Sequence, residues 1–177
     1  MSWSPRSTRR SAFSKPTRVA TVADSSPLIL YAKIGRLDLL HALFGSILVP
    51  PSVEREVSAP GKPGSFELTA ADWIAVVPLR ATPTELGVPE HLGPGEAEAI
   101  ALALEMTGGV VLLLDERSGR RAAERLGVSV IGSAGVALLA KRRGVVPAVR
   151  PLLDALRAAG MFLDERTYRQ VLAHATQ

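Results

Sequence analysis

The run VVLLLD at residues 110–115 sets five apolar residues in a row before an aspartate, with no polar position left to face water. A run this short and uniform reads as a strand covered on both faces, and such strands belong to parallel sheets packed between helices. The rest of the chain alternates in the same way. RVATVAD at 18–24 predicts a first strand ending at Asp24, SILVP a second, DWIAVVPL a third, GVVLLLD a fourth and VSVIG a fifth. Between them, SSPLILYAKIGRLDLLHALFG predicts one or two helices, with Pro27 in a first turn and Gly45 at a C-cap. PSVEREVS predicts a short helix from Pro51, and EAEAIALALEM, RSGRRAAERLG and SAGVALLAKRRG three more. A long Pro/Gly-rich connection covers 81–95, and a helical pair follows from about residue 147.

With 177 residues, 47% of them hydrophobic, the chain can bury one sizeable core, so residues 19–177 read as a single domain. No apolar run reaches the roughly 18 residues of a membrane helix, so a soluble protein with no membrane partner is expected. Cysteine is absent, which excludes disulfides, thiolate nucleophiles and Cys-based zinc sites. The net charge of +4 is unevenly placed. Residues 1–18 hold Arg6, Arg9, Arg10, Lys15 and Arg18 with no acid, leaving 16 basic against 17 acidic residues elsewhere. This basic tail is expected to be disordered, either a nonspecific phosphate contact or a solvated extension. Its TRRSAF stretch lacks the hydrophobic segment of a twin-arginine signal, so a cytoplasmic location is expected.

The letters LDER occur twice, at 114–117 and at 163–166. Asp115 ends a buried strand and belongs at the carboxyl edge of the sheet, where open α/β sheets bind ligands; Asp164 sits between two amphipathic helices and reads as an N-cap. Asp24 ends the first strand as Asp115 ends the fourth, although capping would explain either one alone. On a helical wheel Glu96 shares the apolar face with Ile100, Ala103 and Leu104, whereas Glu98 and Glu105 fall on the solvated side. A carboxylate on an inward stripe needs a compensating partner, which a metal ion or the helix N-terminus could supply. In VPPSVEREV, Glu54 and Glu56 flank the inward Val53 and Val57 almost symmetrically, so periodicity does not choose between them.

Taken in order, VADSSPLI, ILVPPSVEREV, GPGEAEAIALALEMTGGVVLLLDE and GVSVIGSAGVALLAKRRG resemble the PIN-domain nucleases, in particular toxins of the virulence-associated protein C type. The resemblance covers about residues 19–145. It implies a three-layer α/β/α sandwich around a parallel sheet of about five strands, with acids gathered at the carboxyl ends of the strands. Carried over position by position, it implies catalytic roles for Asp24, Glu56, Glu96 and Asp115. Asp24, Glu96 and Asp115 would coordinate Mg²⁺ or Mn²⁺, and Glu56 would be a ligand or would orient the attacking water. Ser26 would support a carboxylate or phosphate oxygen, and Arg117, Arg120 and Arg121 are candidates for substrate phosphates. The implied activity is metal-dependent hydrolysis of RNA phosphodiester bonds leaving a 5′-phosphate, with a cognate antitoxin and a homodimer as expected partners. A catalytically inactive PIN-like module that binds nucleic acid or protein is the alternative.

The remaining features point to no competing chemistry. His41, His91 and His174 lack ligand spacing, GVPEHLGPG lacks the lysine of a P-loop, and Trp3 and Trp73 form no stacking platform with basic neighbours. VADSS lacks the paired acids of a receiver domain and the spaced aspartates of a haloacid-dehalogenase-like phosphatase.

Overall fold

The computed structural model describes residues 19–175; the basic tail read at 1–18 lies outside them. The strands are β1 (Ala20–Ala23), β2 (Ile47–Val49), β3 (Ile74–Val76), β4 (Val110–Leu113) and β5 (Ser129–Ile131). They form one sheet in the order β3-β2-β1-β4-β5, and every pairing is parallel. The helices are α1 (Ser25–Lys33), α2 (Leu37–Phe44), α3 (Pro51–Ser58), α4 (Ser65–Ala70), α5 (Pro94–Glu105), α6 (Arg117–Arg125), α7 (Ser133–Arg142), α8 (Arg150–Ala158) and α9 (Glu165–Ala175). They cover both faces of the sheet, giving the three-layer sandwich.

Strand alternation feeds two cores. Ala23, Ile47, Val49 and Leu113 pack with residues of α1, α2, α3, α7 and α8 on one face. Val22, Leu112 and Leu114 pack with Ala99–Ala103 of α5 and with Ala122 and Ala123 of α6 on the other. Neighbouring residues along β1 and β4 thus serve opposite layers, which is why these strands are apolar without interruption.

Some local expectations change. The third strand shrinks to Ile74–Val76 because its neighbour β2 stops at Val49, where Pro50 and Pro51 lead into α3; the Val77 amide still reaches Val49 O at 2.9 Å, but Pro51 has no amide to continue the ladder. Glu98 and Glu105 are half-buried rather than simply solvated. Glu98 accepts the Ser52 amide at 2.9 Å near the start of α3, and Glu105 accepts the amides of Arg80 and Ala81 at 2.8 and 2.9 Å. Helix α5 is wrapped by neighbours, so its polar face is satisfied by backbone donors instead of water. Asp164 is the N-cap expected: it takes the Thr167 amide at 2.8 Å and the Thr167 hydroxyl at 2.9 Å. Among the described residues, no helix is long and apolar enough to cross a membrane.

Helix α4, unassigned from sequence, starts from Gly64 at φ 81°, where a Cβ would collide with the Ala32 Cβ of α1. Gly64→Ala therefore combines a left-handed backbone with a steric clash and should destabilise the protein by about 2–4 kcal/mol. Urea denaturation checks this; an unchanged midpoint would contradict the close approach of α1 and α4.

Candidate active site

Parallel strands deliver all their carboxyl ends to one edge, and the order of winding reverses between β1 and β4. That reversal opens a crevice of the kind where α/β sheets bind ligands. Asp24 directly follows β1, and Asp115 follows β4 after Leu114.

The two aspartates differ in parity. Ala23 stands beside Leu113 in the ladder, and both serve the α1–α7 layer. One residue on, Asp24 turns toward the α5–α6 layer, level with Leu114; Asp115, one residue further again, turns back toward α7. The contacts agree with this. Asp115 accepts the Ser133 amide at 2.7 Å and the Ser133 hydroxyl at 2.6 Å at the start of α7. Asp24 is buried, 3% exposed, within the field of Glu56 and Glu96. Glu116 alternates once more, and its charge acts on Glu96.

Each acid has a local reason for its position. Pro51 opens α3 and turns Val53 and Val57 inward, which carries Glu56 to the start of α1, where its Oε2 accepts the Ser25 hydroxyl at 2.5 Å. Pro94 opens α5, and Glu96 in its first turn reaches back with Oε2 to the Gly93 amide at 3.3 Å. Its Oε1 is buried and has no hydrogen-bond partner. Glycines make room for three of the carboxylates. A Cβ on Gly95 would stand 2.8 Å from Glu56 Oε1, one on Gly119 2.7 Å from Glu96 Oε1, and one on Gly132 3.0 Å from Asp115 Oδ1.

Burial is the main reason that the Asp24 carboxyl rises from an ordinary 3.8 to about 6; the charges of Glu56 and Glu96 push the same way, and the Ser25 and Ser26 amides oppose them. Glu96 is also raised, again chiefly by burial, with the Gly93 amide opposing and Glu116 and Glu56 adding repulsion. Buried, mutually repelling carboxylates with an unpaired oxygen are a donor set suited to a hard divalent cation. As the side chains stand, no three acidic or histidine side chains among the described residues converge closely enough to encircle one ion. A largely hydrated Mg²⁺ needs only one or two carboxylates, and Asp24 with Glu96 fits that requirement.

The other expected residues flank this cluster. Asp115, Ser26, Arg117, Arg120 and Arg121 line a groove of about 930 Å³, bordered on its far side by residues 159–164. Ser26 is exposed there, while its neighbour Ser25 makes the hydroxyl contact with Glu56. Ser25 and Ser133 were not singled out from the sequence, whereas strand alternation already points Glu116 away from Asp115, and its charge falls on Glu96. The alternation VLLLDE carried the signal for Glu116, since it sets Glu116 on the side of Asp24. No sequence signal marked Ser133 as the partner of Asp115.

Residues 20–177 match a family model described as a PIN domain, a span that includes the whole sheet and every acid above. No curated protein matches the chain. With the match covering nearly all of its length, and with an all-parallel sheet holding acids at the switch point, the chain belongs to the PIN-domain family, whose fold is of nuclease type.

Proposed function

We propose that the protein is a divalent-metal-dependent ribonuclease that hydrolyses phosphodiester bonds in RNA. The observation that carries the reading is Glu96 Oε1, a buried carboxylate oxygen without a partner, beside an Asp24 whose ionisation its neighbours oppose. Both features call for a cation. Asp24 and Glu96 would hold Mg²⁺ or Mn²⁺, with Asp115 contributing from the adjoining strand. A cation bound there supplies Lewis-acid stabilisation of charge on the phosphoryl oxygens.

The chain's own residues do the rest. Glu56 gives one oxygen to Ser25, which fixes its orientation and leaves the other to align a water with the phosphorus. Ser133 holds Asp115 rigidly through both oxygens. Arg117, Arg120 and Arg121 on α6 line the neighbouring groove, where they can hold phosphates on either side of the scissile bond. The finer setting is that of a cytoplasmic toxin working as a homodimer and restrained by a small antitoxin. An adjacent gene for a small DNA-binding protein that abolishes cleavage would support it, and growth unchanged by induced expression would count against it.

One observation favours a second reading, a PIN-like binding module without turnover. Both oxygens of Asp115 already accept hydrogen bonds from Ser133, and no three acids converge among the described residues. Cleavage separates the two. Purified protein should cut RNA with Mg²⁺ or Mn²⁺ and not with EDTA. Asp24→Asn and Asp115→Asn should each lower the rate by on the order of a hundredfold or more, while Asp164→Asn retains it. Metal-dependent cleavage that survives both substitutions would remove these acids from the mechanism.

Burial of Asp24 also sets a pH dependence in metal-free protein. Its folded value, about 6, lies above the ordinary 3.8, so the native state holds the extra proton. The stability this gives is fully present below 3.8 and is lost as pH rises through about 6. The loss should total up to about 3 kcal/mol. Denaturation in EDTA across that window should show wild-type stability falling relative to Asp24→Asn, with the variant more stable at neutral pH. Parallel curves would contradict the buried, repelled state of Asp24.

A further inference from the structure

We propose that Tyr31 is a positioning residue for the acid cluster: its hydroxyl, through the Ser133 carbonyl, ties the helix that begins at Asp24 to the helix that holds Asp115. Tyr31 lies on the buried face of α1 with Leu28 and is 0% exposed. Its hydroxyl donates to Ser133 O at 3.0 Å, joining residues 102 positions apart in the chain. A buried hydroxyl costs stability unless it is bonded, and phenylalanine would fill the same space with no polar atom to satisfy. What the hydroxyl adds is therefore location rather than packing. Burial and then the charge of Asp115 hold the phenol's pKa above its ordinary value, with Arg36 opposing, so the group stays a donor.

Ser133 is where that location counts. The Leu114 amide makes the last ladder contact beyond β4, to Ile131 O at 3.1 Å, so Asp115 lies past the hydrogen bonds of the sheet. Its carboxylate is held instead by the Ser133 amide at 2.7 Å and the Ser133 hydroxyl at 2.6 Å. The carbonyl of that same serine is the atom Tyr31 grips. At the other end of α1, the Ser25 and Ser26 amides act on Asp24, and the Ser25 hydroxyl binds Glu56. One helix thus sets acids on both sides of the crevice: Asp24 and Glu56 through its first turn, Asp115 through Tyr31 and Ser133. A cation shared between the β1 and β4 sides needs such a fixture, because Mg²⁺ tolerates little departure from octahedral geometry and small misplacements at a reacting centre are costly. The inference rests on the metal-dependent reading, in which Asp115 contributes to the cation, and deepens it by naming what fixes Asp115 relative to Asp24.

The test is Mn²⁺ binding to the full chain without RNA, by isothermal titration calorimetry, beside steady-state cleavage. Tyr31→Phe should keep its circular dichroism, weaken Mn²⁺ binding about tenfold and lower kcat by a similar factor with KM for RNA unchanged. In an Asp115→Asn background the same substitution should change Mn²⁺ affinity by less than about twofold, because it acts through that carboxylate. Leu153→Val, a core substitution in α8 far along the chain from every acid of the site, should lower Tm and leave Mn²⁺ affinity intact. Wild-type Mn²⁺ affinity in Tyr31→Phe would overturn the inference. So would an equal loss in both backgrounds, or an equal loss in Leu153→Val, which would make the effect one of general destabilisation. Mn²⁺ binding that depends on Tyr31 without any cleavage sinks the ribonuclease alone. Metal-dependent cleavage with Mn²⁺ affinity indifferent to Tyr31 sinks the positioning role alone, and a wild type that binds no Mn²⁺ overturns it together with the cation site.

Discussion

The parallel pairing of β1 with β4 is the constraint from which the rest of the structure follows. Four consecutive partners, Ala20↔Val110 to Ala23↔Leu113, join two halves that wind away from each other, and the Asp24 amide extends the ladder to Leu113 O at 3.0 Å. Both strands are covered on both faces, so their register is specified from two sides: a one-residue slip would exchange the residues of the two cores. The same register decides which layer each terminal acid enters. Fold and site are thus set by one contact.

The site gathers negative charge where the fold also gathers positive helix ends. Helices α1, α5, α6 and α7 all begin at the carboxyl edge, and their free amides meet the acids: Ser25 and Ser26 near Asp24, Gly93 at Glu96, Ser133 at Asp115. The compensation is uneven. Asp115, with two donors, is satisfied within the protein, whereas Asp24 stays partly protonated up to about 6 and Glu96 keeps an unpaired oxygen. This asymmetry marks the Asp24 side of the crevice as the place where a cation has most to contribute.

Much of this was legible in the sequence because it depends on period and punctuation. Uninterrupted apolar runs announced the parallel sheet, Pro51 marked the start of α3, and Asp164 was recognisable as a cap from its place between helices. What escaped was relational. A wheel for α5 sees one helix, so it could not show that α3 and the 80–81 backbone would cover Glu98 and Glu105. Placing Asp24 and Asp115 on a common edge was a matter of topology, but their opposite parity appears only once Ala23 is set beside Leu113. The choice of Ser25 over Ser26 as the partner of Glu56 likewise depends on how α1 is rotated, which packing decides.

The glycines beside the carboxylates carry one more consequence. Gly95 and Gly119 occupy the first turns of α5 and α6, positions where alanine would favour the helix by roughly 0.5–1 kcal/mol. Each is instead pressed against an acid that an added methyl group would displace. Two helices thus give up intrinsic propensity to leave space for charge, a local trade of helix stability against room for the acids. Selection for thermal robustness alone would drift toward alanine at both positions and would erode the acid cluster without touching a single acid.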